Sequence, residues 1–462
     1  MLIKFKVANF LSFDSVQEFS MIAGSVKNKD SHILDYKDLK LLKFSSVYGA
    51  NASGKSNLLK AINFQKNIVL NGLKSDFRNA YCRSHQKNKE KVSTFECEIK
   101  LNDKFYSYGF DILLSENSIR SEWLYEINHK EEIPIYMREL NKEAIINEDY
   151  FQNDEEIVKR LKVYASDIQS QDNILFLTIM NKNKESLYKE VTNIILFKKL
   201  YNWFDNVLMV IFPQHKIDNT RYWSSQENIQ KINDIISTFG TGISMCKIVD
   251  SSIQELNSRI PPEIYKNMFN TMMMEYISKA KDNNFDNEMT NFWRVNDDLY
   301  IVKIINSEKL AVQKVVLKHK NDDGEYLFAE ESDGTRRLFD LIEILLNTEN
   351  ERVYFIDELD RCLHPQLSYE FVRRFLENNL NKTTQLIVTT HESRLLNFNL
   401  LRRDEIWFAN REENSPTHLY SLEDYNERFD RKIDKAYLDG RYGGVPIFET
   451  IFPIGDEKER CM

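Results

Sequence analysis

The sequence predicts an α/β protein: a mixed sheet with flanking antiparallel strands and a mostly helical inserted lobe. Three observations predict it. A glycine-rich turn at 49–56 has the spacing G-x-x-x-x-G-K-S and lies between an apolar run at 44–48 and an apolar-faced helix that opens at Leu58. Two further apolar runs, at 353–356 and 386–388, lead into Asp357-Glu358 and into His391. Near-continuous apolar runs of this length suit parallel strands covered on both faces. Three alternating runs at 94–101, 105–113 and 119–127, separated by Asn102-Asp103 and by 115–117, read as an antiparallel meander.

In chain order, residues 1–22 alternate as a strand (Leu2, Phe5, Val7) and run on through Asn9-Phe-Leu-Ser-Phe13. Residues 23–43 are polar and rich in Lys and Asp, and read as an exposed loop or hairpin. The glycine turn and its helix follow, to about Gly72. Residues 73–91 read as a flexible basic connector ahead of the meander. Within 130–285, helical periodicity appears at 154–165, 182–210, 226–239 and 253–278, with no sustained heptads. A compact lobe is expected there, with Met272, Met273 and Met274 in its core or on a partner surface. Strands return at 292–295, 299–305 and 311–317. A helix follows at 338–346, then the two apolar runs, and a last strand at 405–409. The organisation expected is 1–129 and 286–410 as two halves of the α/β core, 130–285 as the inserted lobe, and 411–462 as a tail open to a partner.

Bulk properties narrow the class. The 462 residues can bury a substantial core, and 42% hydrophobic with 29% charged content is ordinary for a soluble globular protein. The longest candidate for a membrane run, 207–212, is far too short, and the N-terminus enters a strand without a signal-peptide core. The five cysteines (82, 97, 246, 362, 461) form no C-x-x-C pair, which favours a reduced cytoplasmic protein without a disulfide framework or zinc site. A formal net charge of −9 speaks against gripping DNA as the main task, while leaving room for a local basic groove.

The residue types at the motifs point to phosphate chemistry. The run Gly49, Ala50, Asn51, Ala52, Ser53, Gly54, Lys55, Ser56, Asn57 reads as an ATP-binding loop. Gly49 and Gly54 let the chain curl so that successive backbone N–H groups face phosphate oxygens. The helix that follows turns its N-terminal dipole on the same anion. Lys55 supplies a cation to the β/γ-phosphates, and the Ser56 hydroxyl suits Mg²⁺. Asp357, at the C-terminal end of a central strand, is placed to hold Mg²⁺. Glu358 beside it is placed to act as the general base on water.

The order of phosphate loop, Ser332-Asp-Gly334 turn opening a helix, Asp-Glu strand and His strand resembles the ATP-binding-cassette (ABC) class of ATPase heads. Within that class it resembles the branch of structural-maintenance and RecF-like heads. Ring-forming AAA+ motors lack such a turn just before the acidic strand. The resemblance implies that His391 senses the γ-phosphate and that Asp360 lies in the D-loop coupling two sites. It also implies that Ser332, Asp333, Gly334 and Thr335 act in trans on ATP held by another subunit. A homodimer sandwiching two ATP, with Mg²⁺, is then the minimum assembly. Glu331 in the first signature position and Asp333 in place of a glycine depart from transporter domains, so no membrane partner is expected. Leu11 stands where related repair ATPases often carry a basic residue. No glutamine is assigned to the Q-loop.

The whole set, with Leu363-His-Pro365 and Thr389-Thr-His391, resembles standalone AAA-domain ATPases related to OLD nucleases. The tail Tyr437-Leu-x-Gly-Arg-Tyr-Gly-Gly-Val-Pro446 resembles ATPase subunits of AbiL/RloA- or PARIS-type phage-defence modules. That resemblance implies an ATPase that senses an invader, with DNA or a phage protein as trigger, and controls a separate Toprim- or RloB-like nuclease. About seventy residues follow His391, too few for a Toprim fold after the sheet is complete, so nuclease activity is not expected in this chain. Two other readings stand beside it: a RecF-like repair ATPase that clamps DNA, and a scaffold that uses ATP only to assemble.

Overall fold

The structure, a computed structural model, describes all residues except 27–28, 37–38, 129–130, 153, 185–186, 189–193, 215–222, 224–225, 281–287, 306–308, 347–350, 412–414, 426–432, 439–441 and 443–462. The chain divides into two compact units. Met1–Gln214, Glu349–Asp360 and Leu376–Met462 form the first; His215–Thr348 and Arg361–Phe375 form the second. The stretch 130–285 thus contributes to both, up to 214 in the first and from 215 in the second.

The strands are β1 (Leu2–Ala8), β2 (Gln17–Ser20), β3 (Ile33–Tyr36), β4 (Leu39–Leu42), β5 (Phe44–Tyr48), β6 (Ser93–Leu101), β7 (Lys104–Leu113), β8 (Ser118–Ile127), β9 (Glu132–Glu139), β10 (Ile145–Ile146), β11 (Leu208–Ile211), β12 (Ile243–Ser251), β13 (Glu288–Val295), β14 (Asp298–Ile305), β15 (Lys309–His319), β16 (Glu351–Ile356), β17 (Thr383–Thr389), β18 (Ile406–Asn410) and β19 (His418–Ser421). In the first unit a six-stranded sheet has the order β11-β16-β17-β5-β18-β19. Its first five strands are parallel and β19 closes the edge antiparallel. All five residues of β5 are buried, as a strand between two parallel neighbours requires. Its two serines keep this possible, because both hydroxyls donate to Glu405 O.

The expected meander is present, and β1 and β2 extend it into a seven-stranded sheet, β10-β9-β8-β7-β6-β1-β2. The helix Lys55–Asn71 joins the two sheets through one core that includes Leu58, Ile62, Phe64 and Val69. Phe64 packs on Phe95 of β6 and on Phe10, with ring centroids 4.8 and 5.1 Å apart. Gln385, fully buried on β17, is one polar tie between the sheets. Its amide bonds Leu2 N–H at 2.7 Å, and Leu2 O and Leu42 O at 3.0 Å each.

Some elements differ from the sequence reading. The expected helix over 182–210 ends early: a helix spans Ile195–Asn202, a π turn spans Trp203–Val207, and Leu208–Ile211 is the strand β11, parallel to β16. Four apolar residues fit either state, and the open hydrogen-bonding edge of β16 decides for the strand. The expected helix over 253–278 is two, Ile253–Arg259 and Pro262–Lys279. Pro261 and Pro262 lack the N–H groups a continuous helix needs, and Pro262 is well suited to open the second. Within the stretch expected to be a loop or hairpin, Ile33–Tyr36 and Leu39–Leu42 pair antiparallel as β3 and β4.

The second unit carries the four-stranded sheet β12-β15-β14-β13. Met272 and Tyr276 of the helix Pro262–Lys279 share a core with Trp293, Tyr300 and Val302, whereas Met274 is 73% exposed. Of the tail motif at 437–446, only Tyr437, Leu438 and Tyr442 lie within the described residues. Among the described residues, no helix is long and apolar enough to cross a membrane.

Candidate functional site

The first unit gathers Gly49 through Asn57, Asp357, Glu358, Asp360 and His391 at the C-terminal ends of β5, β16 and β17. That edge of an open parallel sheet is where ligands bind. The loop leaves β5 at Gly49 and enters the helix at Lys55. Gly54 has φ +105°, and a Cβ there would collide with the Thr417 hydroxyl and lie 2.8 Å from Ser12 Oγ. A Cβ on Gly49 would collide with Ala409 O. Both positions therefore demand glycine.

Lys55 folds back into the loop. Its Nζ donates to Gly49 O at 2.8 Å and Ala50 O at 3.0 Å, and the residue is buried. Burial pushes its ammonium down to about 8, while Asp357, Asp360 and Glu358 pull it back up. The Ser53 hydroxyl lies in the same bend, buried and without a hydrogen-bond partner among the described residues. A cation hydrogen-bonded to carbonyl oxygens, next to a hydroxyl donor unsatisfied among the described residues, fits a phosphate group.

The carboxylates meet the loop through Ser56, whose Oγ donates to Asp357 Oδ1 at 3.0 Å. The Thr389 hydroxyl donates to the same oxygen at 2.6 Å. Asp357 and Ser56 form a small set of hard oxygen donors, the kind that Mg²⁺ completes with phosphate and water. Among the described residues, no three His, Cys, Asp or Glu side chains form a metal cage by themselves. Glu358 follows at φ +50°, in the left-handed region. Asp360 accepts the His391 N–H at 3.3 Å on both carboxylate oxygens, which joins the ends of the two acidic and histidine strands. Partial desolvation, then the Lys55 ammonium, lowers the His391 imidazole below its ordinary value.

Sequence reasoning did not single out the side chains that brace the loop. The Thr417 hydroxyl donates to Ser53 O at 2.8 Å and lies 2.7 Å from Ser12 Oγ. The Asn57 amide donates to Ser12 Oγ at 2.8 Å. Asn9 clamps the basic segment that follows the helix: its amide donates to Asn88 O and Lys91 O and accepts Cys82 N–H. The Asn-Phe-Leu-Ser stretch was the only signal for Ser12, and nothing marked Thr417. The tail also reaches the loop's base, where Tyr437 packs on Tyr48 and Phe408 at 5.6 and 6.0 Å. Burial pushes the Tyr437 phenol up to about 12.

Ser332, Asp333, Gly334 and Thr335 lie in the second unit, at the start of the helix Asp333–Leu346. Ser332 Oγ accepts Thr335 N–H at 3.2 Å and lies 2.9 Å from Thr335 Oγ1, an N-cap in geometry. Glu331 is engaged by His319 Nε2 at 2.7 Å, and Arg336 by Asp297 and Asp333.

Sheet order, glycine loop and paired carboxylates define an ABC-like nucleotide-binding ATPase head. The chain belongs to the family described as "AAA domain, putative AbiEii toxin, Type IV TA system", whose model matches residues 44–207 and 248–397. Three solved structures are similar over most of their length. An Smc head bound to the C-winged helix domain of ScpA has 13% identity, covers 92% of this chain and 99% of its own, and gives a TM-score of 0.41. The SMC head domain from Thermotoga maritima has 12% identity, 91% and 98% coverage and a TM-score of 0.36. The Pyrococcus furiosus Smc head with an extended coiled coil, bound to the C-terminal domain of ScpA, has 12% identity, 92% and 97% coverage and a TM-score of 0.33. No curated protein matches the chain in sequence.

Proposed function

We propose that this chain binds and hydrolyses ATP, and that it uses the nucleotide state to control a separately encoded toxic nuclease in bacterial anti-phage defence. The observation that carries the ATPase reading is the convergence of Lys55, the Ser56–Asp357 contact, Glu358 and the Asp360–His391 contact at one sheet edge. In this reading the loop amides and Lys55 bind the polyphosphate, and Ser56 and Asp357 would hold Mg²⁺. When bound, Mg²⁺ neutralises charge on the phosphate oxygens. Glu358 takes the proton of the attacking water, and His391 contacts the γ-phosphate. Ser332 to Thr335 offer a capped helix N-terminus to the γ-phosphate of a second copy, so hydrolysis requires a homodimer.

Membership of a toxin–antitoxin-type family and the tail motif support the defence role, with 411–462 as the segment that meets the nuclease. The test is co-purification of wild type and Glu358→Gln with the products of adjacent genes, alongside steady-state ATPase. A co-eluting nuclease whose release or toxicity changes with Glu358→Gln supports the role. Glu358→Gln should lower turnover by roughly 10²- to 10⁴-fold while nucleotide binding persists. One observation favours a second reading, a DNA clamp: Lys74, Arg78, Arg83, Lys87, Lys89 and Lys91 are all exposed on the segment that Asn9 anchors. No co-eluting nuclease, together with duplex-stimulated hydrolysis, would replace the first reading by the second.

A further inference from the structure

We infer that Thr389 is a positioning residue that sets both Asp357 and Glu358 for hydrolysis, an inference that rests on the ATPase reading of the site. The parallel register puts Ile356 of β16 opposite Val388 of β17. One step further along, Asp357 and Thr389 face each other just where β16 leaves the sheet. The Thr389 side chain is fully buried. Its hydroxyl donates to Asp357 Oδ1 at 2.6 Å and accepts the Glu358 N–H at 2.8 Å. Its carbonyl accepts the Leu359 N–H at 3.0 Å. Three consecutive residues of the acidic turn are therefore held by one threonine.

The chemistry of the hydroxyl fixes its orientation. It has one proton, and with that proton on Asp357 only lone pairs remain for the Glu358 amide. The two bonds do different work. The first, together with the Ser56 hydroxyl, holds Asp357 Oδ1 in place as a metal-site oxygen. The second fixes the backbone of Glu358, which sits at φ +50°, a conformation that L-residues other than Asn and Asp rarely adopt. Valine, a common strand residue, would fill the same space and make neither bond. The adjacent Thr390 cannot substitute, because its own hydroxyl accepts the Glu392 N–H at 3.0 Å.

The experiment compares the full-length wild type with Thr389→Val and Thr389→Ser. Phosphate release is measured across ATP concentrations, and binding of a fluorescent ATP analogue is titrated with Mg²⁺. Thr389→Val should lower kcat by at least about tenfold with KM within about threefold, because the reacting groups lose their placement while the phosphate loop does not. It should also raise the Mg²⁺ concentration needed for half-maximal binding. Thr389→Ser, which keeps the hydroxyl, should restore both. A purely structural role would change the folded fraction but not kcat per nucleotide-binding site or the Mg²⁺ midpoint. A Thr389→Val protein that matches an active wild type in both readouts overturns the inference. If the valine variant does not fold, Thr389→Ala takes its place, and equal kcat for the alanine and serine variants is the overturning result. A wild type that neither binds nor hydrolyses ATP instead removes the ATPase reading itself, and the inference with it.

Discussion

Raising the pH from 7 to 10 should weaken nucleotide binding through Lys55 while the same residue makes the empty protein more stable. Both effects follow from one number. Burial holds the Lys55 ammonium at about 8, against an ordinary 10.5, and among the described residues its hydrogen-bond partners are the carbonyls of Gly49 and Ala50. A bound polyphosphate supplies the anion that the empty loop lacks, so the bound state keeps the proton to higher pH. Above pH 8 the empty protein must take up a proton to bind, and affinity falls by up to about tenfold per pH unit. Near pH 8, binding should draw in about half a proton.

The stability effect has the opposite sign. Between pH 8 and 10.5 the unfolded chain carries the proton that the folded chain has released, so stability rises with pH across that window. The difference of the two values sets its size, on the order of 3 kcal/mol. Titration calorimetry of ADP in buffers of different ionisation enthalpy gives the proton count, and urea unfolding at pH 7 and 10 gives the stability term. Lys55→Met, similar in length and uncharged, removes both pH dependences and serves as the baseline. Affinity that is flat from pH 7 to 9.5, or that falls equally in wild type and Lys55→Met, would refute the reasoning.

Two further predictions concern what positions the loop. Gly54→Ala should abolish detectable nucleotide binding in equilibrium fluorescence titrations, since the added Cβ collides with Thr417 and the residue must hold φ +105°. Gln385→Leu should destabilise the fold by roughly 2–5 kcal/mol in urea unfolding, because it leaves buried Leu2 and Leu42 backbone groups without partners. Its turnover per folded molecule should stay near wild type, since Gln385 makes none of the contacts of the nucleotide site.

The parts of the fold that were legible are those fixed by short-range geometry. The alternating runs at 94–127 became β6, β7 and β8 almost residue for residue, because alternation over eight or more residues admits one reading. The glycine loop was legible because its spacing encodes a local curl that needs no distant partner. Leu208–Ile211 was not legible, because its state depends on the edge of β16, a strand over a hundred residues later. The break at 260–262 could have been read from Pro261 and Pro262, where the apolar period outweighed the prolines.

The site divides along the same line, and the division has a functional meaning. Lys55, Ser56, Asp357, Glu358 and His391 are motif residues, and the structure brings them together as a group. Gln17 and Thr417 belong to no motif, and Ser12 and Thr389 lie in motif stretches that assign them no role, yet these four determine how firmly that group is held. Thr417 N–H donates to Ser12 O at 2.8 Å and Leu419 N–H to Gln17 Oε1 at 2.9 Å, so β19 and the N-terminal turn grip each other across the loop. A hydrogen-bonded brace of this kind stabilises no particular charge on the phosphate. It lowers the entropy that the loop would otherwise lose on binding, which is where preorganised sites gain rate and affinity. Motif residues therefore identify the chemistry of such a site, whereas its strength is set by single polar side chains whose partners lie from about thirty to about four hundred residues away.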